Sequence, residues 1–257
     1  MDYRTARRSL LCLFTSLAAA AAARGEQIVE LQSRPGVKQP YLLLDKPGET
    51  YKVAVLYFPG YGQELDLASS GLARFKGNFF ANNWRKSQLG IVTAIIDPPS
   101  DLEGLFTYDF RTSQRHMTDI AAIMRDLRAR FPGIRIFLIG ISSGTISAAF
   151  AGKQLGNQLA GVVLMSTILS LRDFDFSSIK IPVLFVHHVD DECGGTPYDN
   201  AKRLAGDLPF VSVHGGDPPA SGPCGPESAH TYFGKRRETV SAITNWMFRR
   251  PFPREVR

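Results

Sequence analysis

Cysteine is scarce in this sequence, at three in 257 residues. A chain this long can bury a full hydrophobic core, so it has no need of a disulfide framework. No internal repeat is present, which excludes solenoids and propellers, and no low-complexity tract occurs beyond an early alanine run. There is no dense Lys/Arg stripe interleaved with aromatics. The formal net charge of +6 is spread along the chain as a solvated surface and carries no nucleic-acid footprint. No H-E-x-x-H pattern appears, and neither a metal nor an organic cofactor is expected. After the first two dozen residues no apolar run approaches the roughly 20 needed to span a bilayer.

What is present begins with an address. Met1 to Arg8 is short and positive, Leu10 to Leu17 is apolar, and Ala18 to Ala23 supplies small residues. This is the three-part build of a secretory signal peptide, with cleavage near Ala23. An uncleaved N-terminal anchor is the alternative. Residues 1–23 are therefore expected to be a signal peptide and 24–257 a single domain, secreted or periplasmic, with no stable membrane insertion after cleavage. Removing the leader takes away Cys12 and leaves Cys193 and Cys224, an even count that suggests one disulfide in an oxidising compartment.

The rest of the chain alternates strands and helices. Ile28–Gln32 and Tyr41–Leu44 are short strand candidates. Val53–Phe58, Ile91–Ile96, Ile134–Ile139, Val162–Met165, Val183–Val186 and Phe210–Val213 are continuous apolar runs, as buried parallel strands read. Helices are predicted over Leu72–Lys86, Ser113–Arg130, about Ser143–Leu155, around Ala201–Leu204, and through Val240, Ile243 and Met247. In the second of these, Ile120, Ile123, Met124 and Leu127 share one face. The pattern predicts an α/β fold, a mostly parallel central sheet with helices on both faces. Chemistry in such folds gathers at the carboxyl ends of the strands.

At one such end, Gly140-Ile141-Ser142-Ser143-Gly144 fits G-x-S-x-G between a predicted strand and a predicted helix. The sharp turn lifts the serine off the sheet edge, and side chains two places to either side would collide, hence the glycines. Here the chain resembles the α/β-hydrolase superfamily, and among its members the small, nearly capless esterases and dienelactone hydrolases. The resemblance covers residues 28 to 250 and rests on the order nucleophile, acid, histidine along the chain. It implies Ser142 as nucleophile, Asp191 as acid with Asp190 as the alternative, and His230 as base with His214 as its one rival. His187 and His188 read as structural. It also implies an oxyanion hole from the amides of Ser143, at the helix N-terminus, and Tyr61, in the Phe58-Pro59-Gly60-Tyr61-Gly62 loop. Cys193 follows the acid and Cys224 precedes His230, so a Cys193–Cys224 disulfide would tie the two loops together.

Those roles imply acyl transfer to water. The predicted function is an exported serine hydrolase that cleaves a small carboxylic ester, lactone or thioester through an acyl-enzyme, with a small-molecule acyl substrate as its partner. Two readings stay open beside it: a serine peptidase of the same fold, and a catalytically inactive binding protein. Only Thr167 to Ile179 separates the strand after the nucleophile helix from the next, which leaves room for a small cap at most. Asp173, Phe174, Asp175 and Phe176 within it read as surface and packing residues, with substrate contact the alternative.

Overall fold

A computed structural model describes residues 25–45, 48–70 and 90–257. The leader predicted at 1–23 and the helix predicted over Leu72–Lys86 lie outside the described residues. Nine strands form one sheet in the order β1-β2-β4-β3-β5-β6-β7-β8-β9. They are β1 (Glu26–Arg34), β2 (Val37–Leu44), β3 (Val53–Phe58), β4 (Ile91–Ile96), β5 (Arg135–Ile141), β6 (Gly161–Met165), β7 (Val183–His188), β8 (Phe210–Val213) and β9 (Glu255–Val256). β1 and β2 make an antiparallel hairpin, turned at Gly36 in the left-handed region. β2 joins β4 antiparallel, and every other pairing is parallel.

The apolar runs are buried because both faces of the sheet are covered. All six residues of β3 are buried, and all six of β4. Alternate side chains serve two cores. Ala54, Leu56 and Phe58 point into one, together with Ile120, Ile123, Met124 and Leu127 of α3 (Gln114–Arg130), Ile146 and Ala148 of α4 (Gly144–Leu155), and Ala201 of α5 (Tyr198–Ala205). Val53, Val55 and Tyr57 point into the other, with Val240, Ile243 and Met247 of α6 (Arg236–Met247). Helices thus lie on both faces, as the alternation of elements requires.

The differences from the sequence reading concern one helix start and three short elements. The helix predicted from Ser113 begins at Gln114, and Ser113 caps it, its hydroxyl accepting from the His116 amide. Just upstream, Tyr108–Thr112 forms a five-residue helix capped by Thr107. It is too short to show a periodic apolar face. The two-residue β9 pairs with β8 through Val213 and Val256, and two residues show no alternation. A helix of only four residues, Leu67–Ser70, follows the β3 loop. Among the described residues no helix is long and apolar enough to cross a membrane.

Candidate active site

β5 runs to Ile141 and α4 starts at Gly144, so the chain reverses within two residues. Ser142 takes φ 54°, a left-handed conformation that costs a non-glycine residue about 1 kcal/mol or more. Neighbours enforce it. The Ser142 amide donates to the Met165 carbonyl at 3.0 Å, and the Ser142 carbonyl accepts from the Thr145 amide at 3.0 Å. The flanking glycines are sterically obligatory. A Cβ on Gly140 would lie 2.3 Å from the Gly144 oxygen, and one on Gly144 would lie 2.1 Å from the Phe58 oxygen. Ser142 is half-buried, and Ser143 beside it stands at the N-terminal boundary of α4 without a side-chain cap bond.

The loop after β3 passes directly against this turn. A Cβ on Gly60 would sit 3.2 Å from the Ser142 Cβ and 3.5 Å from the Ile141 oxygen. The Gln63 amide donates to the Gly60 carbonyl at 3.2 Å, folding the loop back on itself. Tyr61, the next residue, is 73% exposed.

β7 leads into Asp191. Asp191 Oδ2 accepts from His230 Nδ1 at 3.0 Å, from Thr196 Oγ1 at 2.9 Å and from His187 Nε2 at 3.2 Å. Its Oδ1 accepts from the Cys193 amide at 3.0 Å. The carboxylate is fully buried. Burial alone would raise its pKa, but the hydrogen bonds from His187 and His230 and their charges outweigh burial and hold it below the usual carboxylate range. A carboxylate only accepts, so His230 carries its proton on Nδ1, and Nε2 is left as the basic nitrogen. Asp190 has a different place. Its side chain is 72% exposed, and its carboxylate lies 3.9 Å from His188 Nδ1. His214 follows β8 with its amide on the Val256 carbonyl at 2.9 Å, and among the described residues it makes no hydrogen bond to Asp191.

Residues that the sequence reading did not single out hold the histidine loop. Ser166 Oγ donates to the His230 carbonyl at 2.8 Å, and the buried Tyr232 hydroxyl donates to the Val186 carbonyl at 2.9 Å while accepting from the Ser166 amide at 3.1 Å. Both are left-handed, Ser166 at φ 44° and Tyr232 at φ 59°. With Ser142, three non-glycine residues in this conformation meet at one place, the kind of clustering that functional sites show. No residue type announces it, since glycine normally fills such positions. His187, read as structural, is buried and touches Asp191. Its Nε2 also faces the Thr196 carbonyl at 3.0 Å, so the proton is on that nitrogen. Thr196, at 3.1 Å from His230 Nδ1 as well, closes the cluster.

Cys193 and Cys224 are bonded, with Cα atoms 4.7 Å apart across a sequence separation of 31. The bridge joins the loop of Asp191 to the loop before His230. A surface cavity of about 510 Å³ opens between these loops, bounded by His188, Asp190, Glu192, Asp217 and Phe233. Neither Ser142 nor His230 lines it. The segment from Thr167 to Ile179 holds two short 3-10 turns, Leu169–Leu171 and Phe176–Ser178. Phe174 packs on Phe150 and Phe176, and Phe176 packs on Phe185 at 5.1 Å. Asp175 caps the second turn through the Ser177 amide. These are packing and capping roles. Among the described residues no group of three or more His, Cys, Asp or Glu side chains is arranged to hold a metal ion.

No protein-family model and no curated protein sequence matches the chain. Solved structures do. Est1E from Butyrivibrio proteoclasticus superposes with a TM-score of 0.59 at 13% identity, over 88% of this chain and 98% of its own. An α/β serine hydrolase without lid from Xanthomonas campestris gives 0.59 at 16% identity, over 89% and 96%. An α/β serine hydrolase homologue from Coxiella burnetii gives 0.59 at 17% identity, over 88% and 97%. The sheet order, the parallel core and these near-full-length superpositions establish that this chain has the α/β-hydrolase fold.

Proposed function

We propose that the protein is an exported serine hydrolase that cleaves small carboxylic esters, lactones or thioesters. The observation that carries the reading is the Asp191–His230 contact at 3.0 Å at the same end of the sheet as Ser142 in its strained turn. His230 Nε2 takes the proton of Ser142 Oγ as that oxygen bonds to the acyl carbon. The amides of Tyr61 and Ser143 hold the oxyanion. The tetrahedral species collapses, the carbon–leaving group bond breaks, and His230 returns the proton to the leaving group. Water then attacks the acyl-enzyme by the same route, releasing the acid and restoring Ser142. Asp191 holds the ring in the tautomer that this requires and stabilises the imidazolium. Two likenesses support the reading at the level of fold: the lidless serine hydrolase of Xanthomonas campestris, and the minimal segment after β6 in this chain, which suits small, freely diffusing substrates. The leader and the Cys193–Cys224 bond support an oxidising compartment outside the cytoplasm.

The test is a fluorophosphonate probe on the mature protein, with the adduct mapped by mass spectrometry beside a His230→Ala sample. A single adduct on Ser142, lost in the variant, is the expected result. No adduct, or one indifferent to His230, would overturn the hydrolase and bring the binding-protein reading forward.

A further inference from the structure

Beneath the Pro59–Tyr61 loop lies a charge that the mechanism above does not use. Arg111, on α2 (Tyr108–Thr112), has no solvent exposure. One arm of its guanidinium, Nη2, donates to the Pro59 carbonyl at 3.1 Å, and the other, Nη1, donates to Ser147 Oγ in the first turn of α4 at 3.1 Å. Its counter-charge, buried Glu64, sits 3.6 Å away and accepts from the Phe106 amide at 3.2 Å. The Phe106 ring faces the guanidinium at 4.8 Å. The Pro59 carbonyl is also close to α4 from its other neighbour, since a Cβ on Gly144 would lie 2.8 Å from that oxygen.

Stability is a poor account of this arrangement. Taking an ion pair out of water costs several kcal/mol per ion, and an apolar replacement of equal volume is often as stable or more so. The ion pair is long, and Arg111 Nε, Glu64 Oε2 and His116 Nδ1 have no hydrogen-bond partner among the described residues. What the guanidinium does supply is two donors in a rigid fork, aimed at two different segments. One segment carries the Tyr61 amide and the other follows the Ser143 amide. The peptide unit is planar, so gripping the Pro59 oxygen fixes the plane of the Pro59–Gly60 peptide, one residue before the Tyr61 N–H.

We propose that Arg111 is a positioning residue that sets the spacing of the two oxyanion donors, by bridging the Pro59 carbonyl to Ser147 while Glu64 holds the guanidinium in place. Its consequence for rate rests on the hydrolase reading; the bridge itself does not.

Three variants test it. Arg111→Lys keeps the charge but cannot span both acceptors. Arg111→Met combined with Glu64→Gln leaves no unpaired buried charge. Ser147→Ala removes one arm with the ion pair intact, and it serves if the other two fail to fold. Each is compared with the wild type in p-nitrophenyl acetate kinetics, in affinity for a phenylboronic acid as tetrahedral mimic, and in amide exchange over residues 58–63. Losing a whole oxyanion donor costs about 100- to 1000-fold in kcat, so misplacing one should cost about 10- to 100-fold for the Arg111 variants and less for Ser147→Ala. KM should stay within about threefold, boronate affinity should fall in step with kcat, and the pH midpoint of the rate should not move, because the triad is untouched. Exchange at the Gln63 amide, which is bonded to the Gly60 carbonyl, should quicken about tenfold or more, since a loop freed of its tether opens more often. Unchanged kcat, or a loss confined to KM, in a folded variant overturns the proposal, as does unchanged exchange. If the wild type neither hydrolyses esters nor takes the probe, the hydrolase reading fails, and exchange alone decides whether Arg111 holds the loop.

Discussion

Asp190 and Asp191 are neighbours in sequence with opposite environments, one carboxylate 72% exposed and the other on His230 at 3.0 Å. Asp191→Asn offers His230 Nδ1 an amide that can turn a donor toward it and favour the wrong tautomer. We expect kcat to fall by about 1000-fold or more, while Asp190→Asn stays within about threefold, as steady-state ester hydrolysis would show. A second residue-scale prediction concerns acid stability. His116 is buried, with Nε2 2.9 Å from Ser147 Oγ. Burial first, and then the positive charges of Arg111 and Arg34, push its pKa well below the ordinary histidine value of 6.5. His188 is lowered too, chiefly by burial. A base depressed in the folded state is protonated first in the unfolded chain as pH falls. The stability these two rings allow is therefore whole above about pH 6.5 and is lost as pH drops below it, at no more than about 1.4 kcal/mol per pH unit for each. Urea unfolding between pH 5 and 8 should decline below about 6.5, and His116→Gln should flatten part of that slope. Asp191 acts lower: its depressed carboxyl contributes stability above about pH 4 that is lost as pH falls through its folded-state value.

The decisive element is the β5–α4 junction. Its two glycines leave no room for even one carbon, because the helix start lies on the β3 loop and on the strand end at once. Gly144→Ala would drive a methyl group into the Phe58 carbonyl, backbone that cannot yield without moving β3. We expect a loss of about 3 kcal/mol or more in chemical denaturation, and no probe labelling of Ser142 in whatever fraction remains folded. Element boundaries were legible where a buried run was bounded by sharp turns. β3, β4 and β8 occupy the spans that their apolar residues predict. The Tyr108–Thr112 helix was invisible because it buries only Phe110 and Arg111, and one of those is a residue type that sequence reasoning assigns to the surface.

Across the whole molecule, the disulfide joins two loops that leave the sheet from different strands. Cys193 stands two residues after Asp191 and donates its amide to that carboxylate, while Cys224 stands six before His230. Replacing both cysteines by alanine should cost about 3–4 kcal/mol in the chain-entropy model for a loop of about 30 residues. For a chain of this size that corresponds to a fall in Tm of roughly 10 °C, measurable by calorimetry against the oxidised wild type. The hydrogen bonds from Thr196, His187 and Ser166 to the Asp191 and His230 loops do not depend on the bridge, so part of the proposed esterase activity should survive at 25 °C. A variant that keeps its full Tm would show that the bridge adds nothing the folded loops lack.

The sequence by itself determined the layered α/β architecture and the glycine-flanked turn at Ser142. Both follow from local rules: an apolar run long enough to bury, and a strand-to-helix reversal that tolerates only glycine at its flanks. Which carboxylate meets His230, what holds Arg111 beneath the Pro59 loop, and why Ser166 and Tyr232 accept left-handed backbone were decided only by the tertiary structure. Each depends on contacts between residues far apart in the chain, 39 positions for His230 and Asp191, 52 for Arg111 and Pro59, and 66 for Ser166 and Tyr232. Such contacts are set by the strand order and register of the folded sheet. Neighbouring side chains of like chemistry, such as Asp190 and Asp191, become distinguishable only when the loop's path turns one of them inward and leaves the other in water.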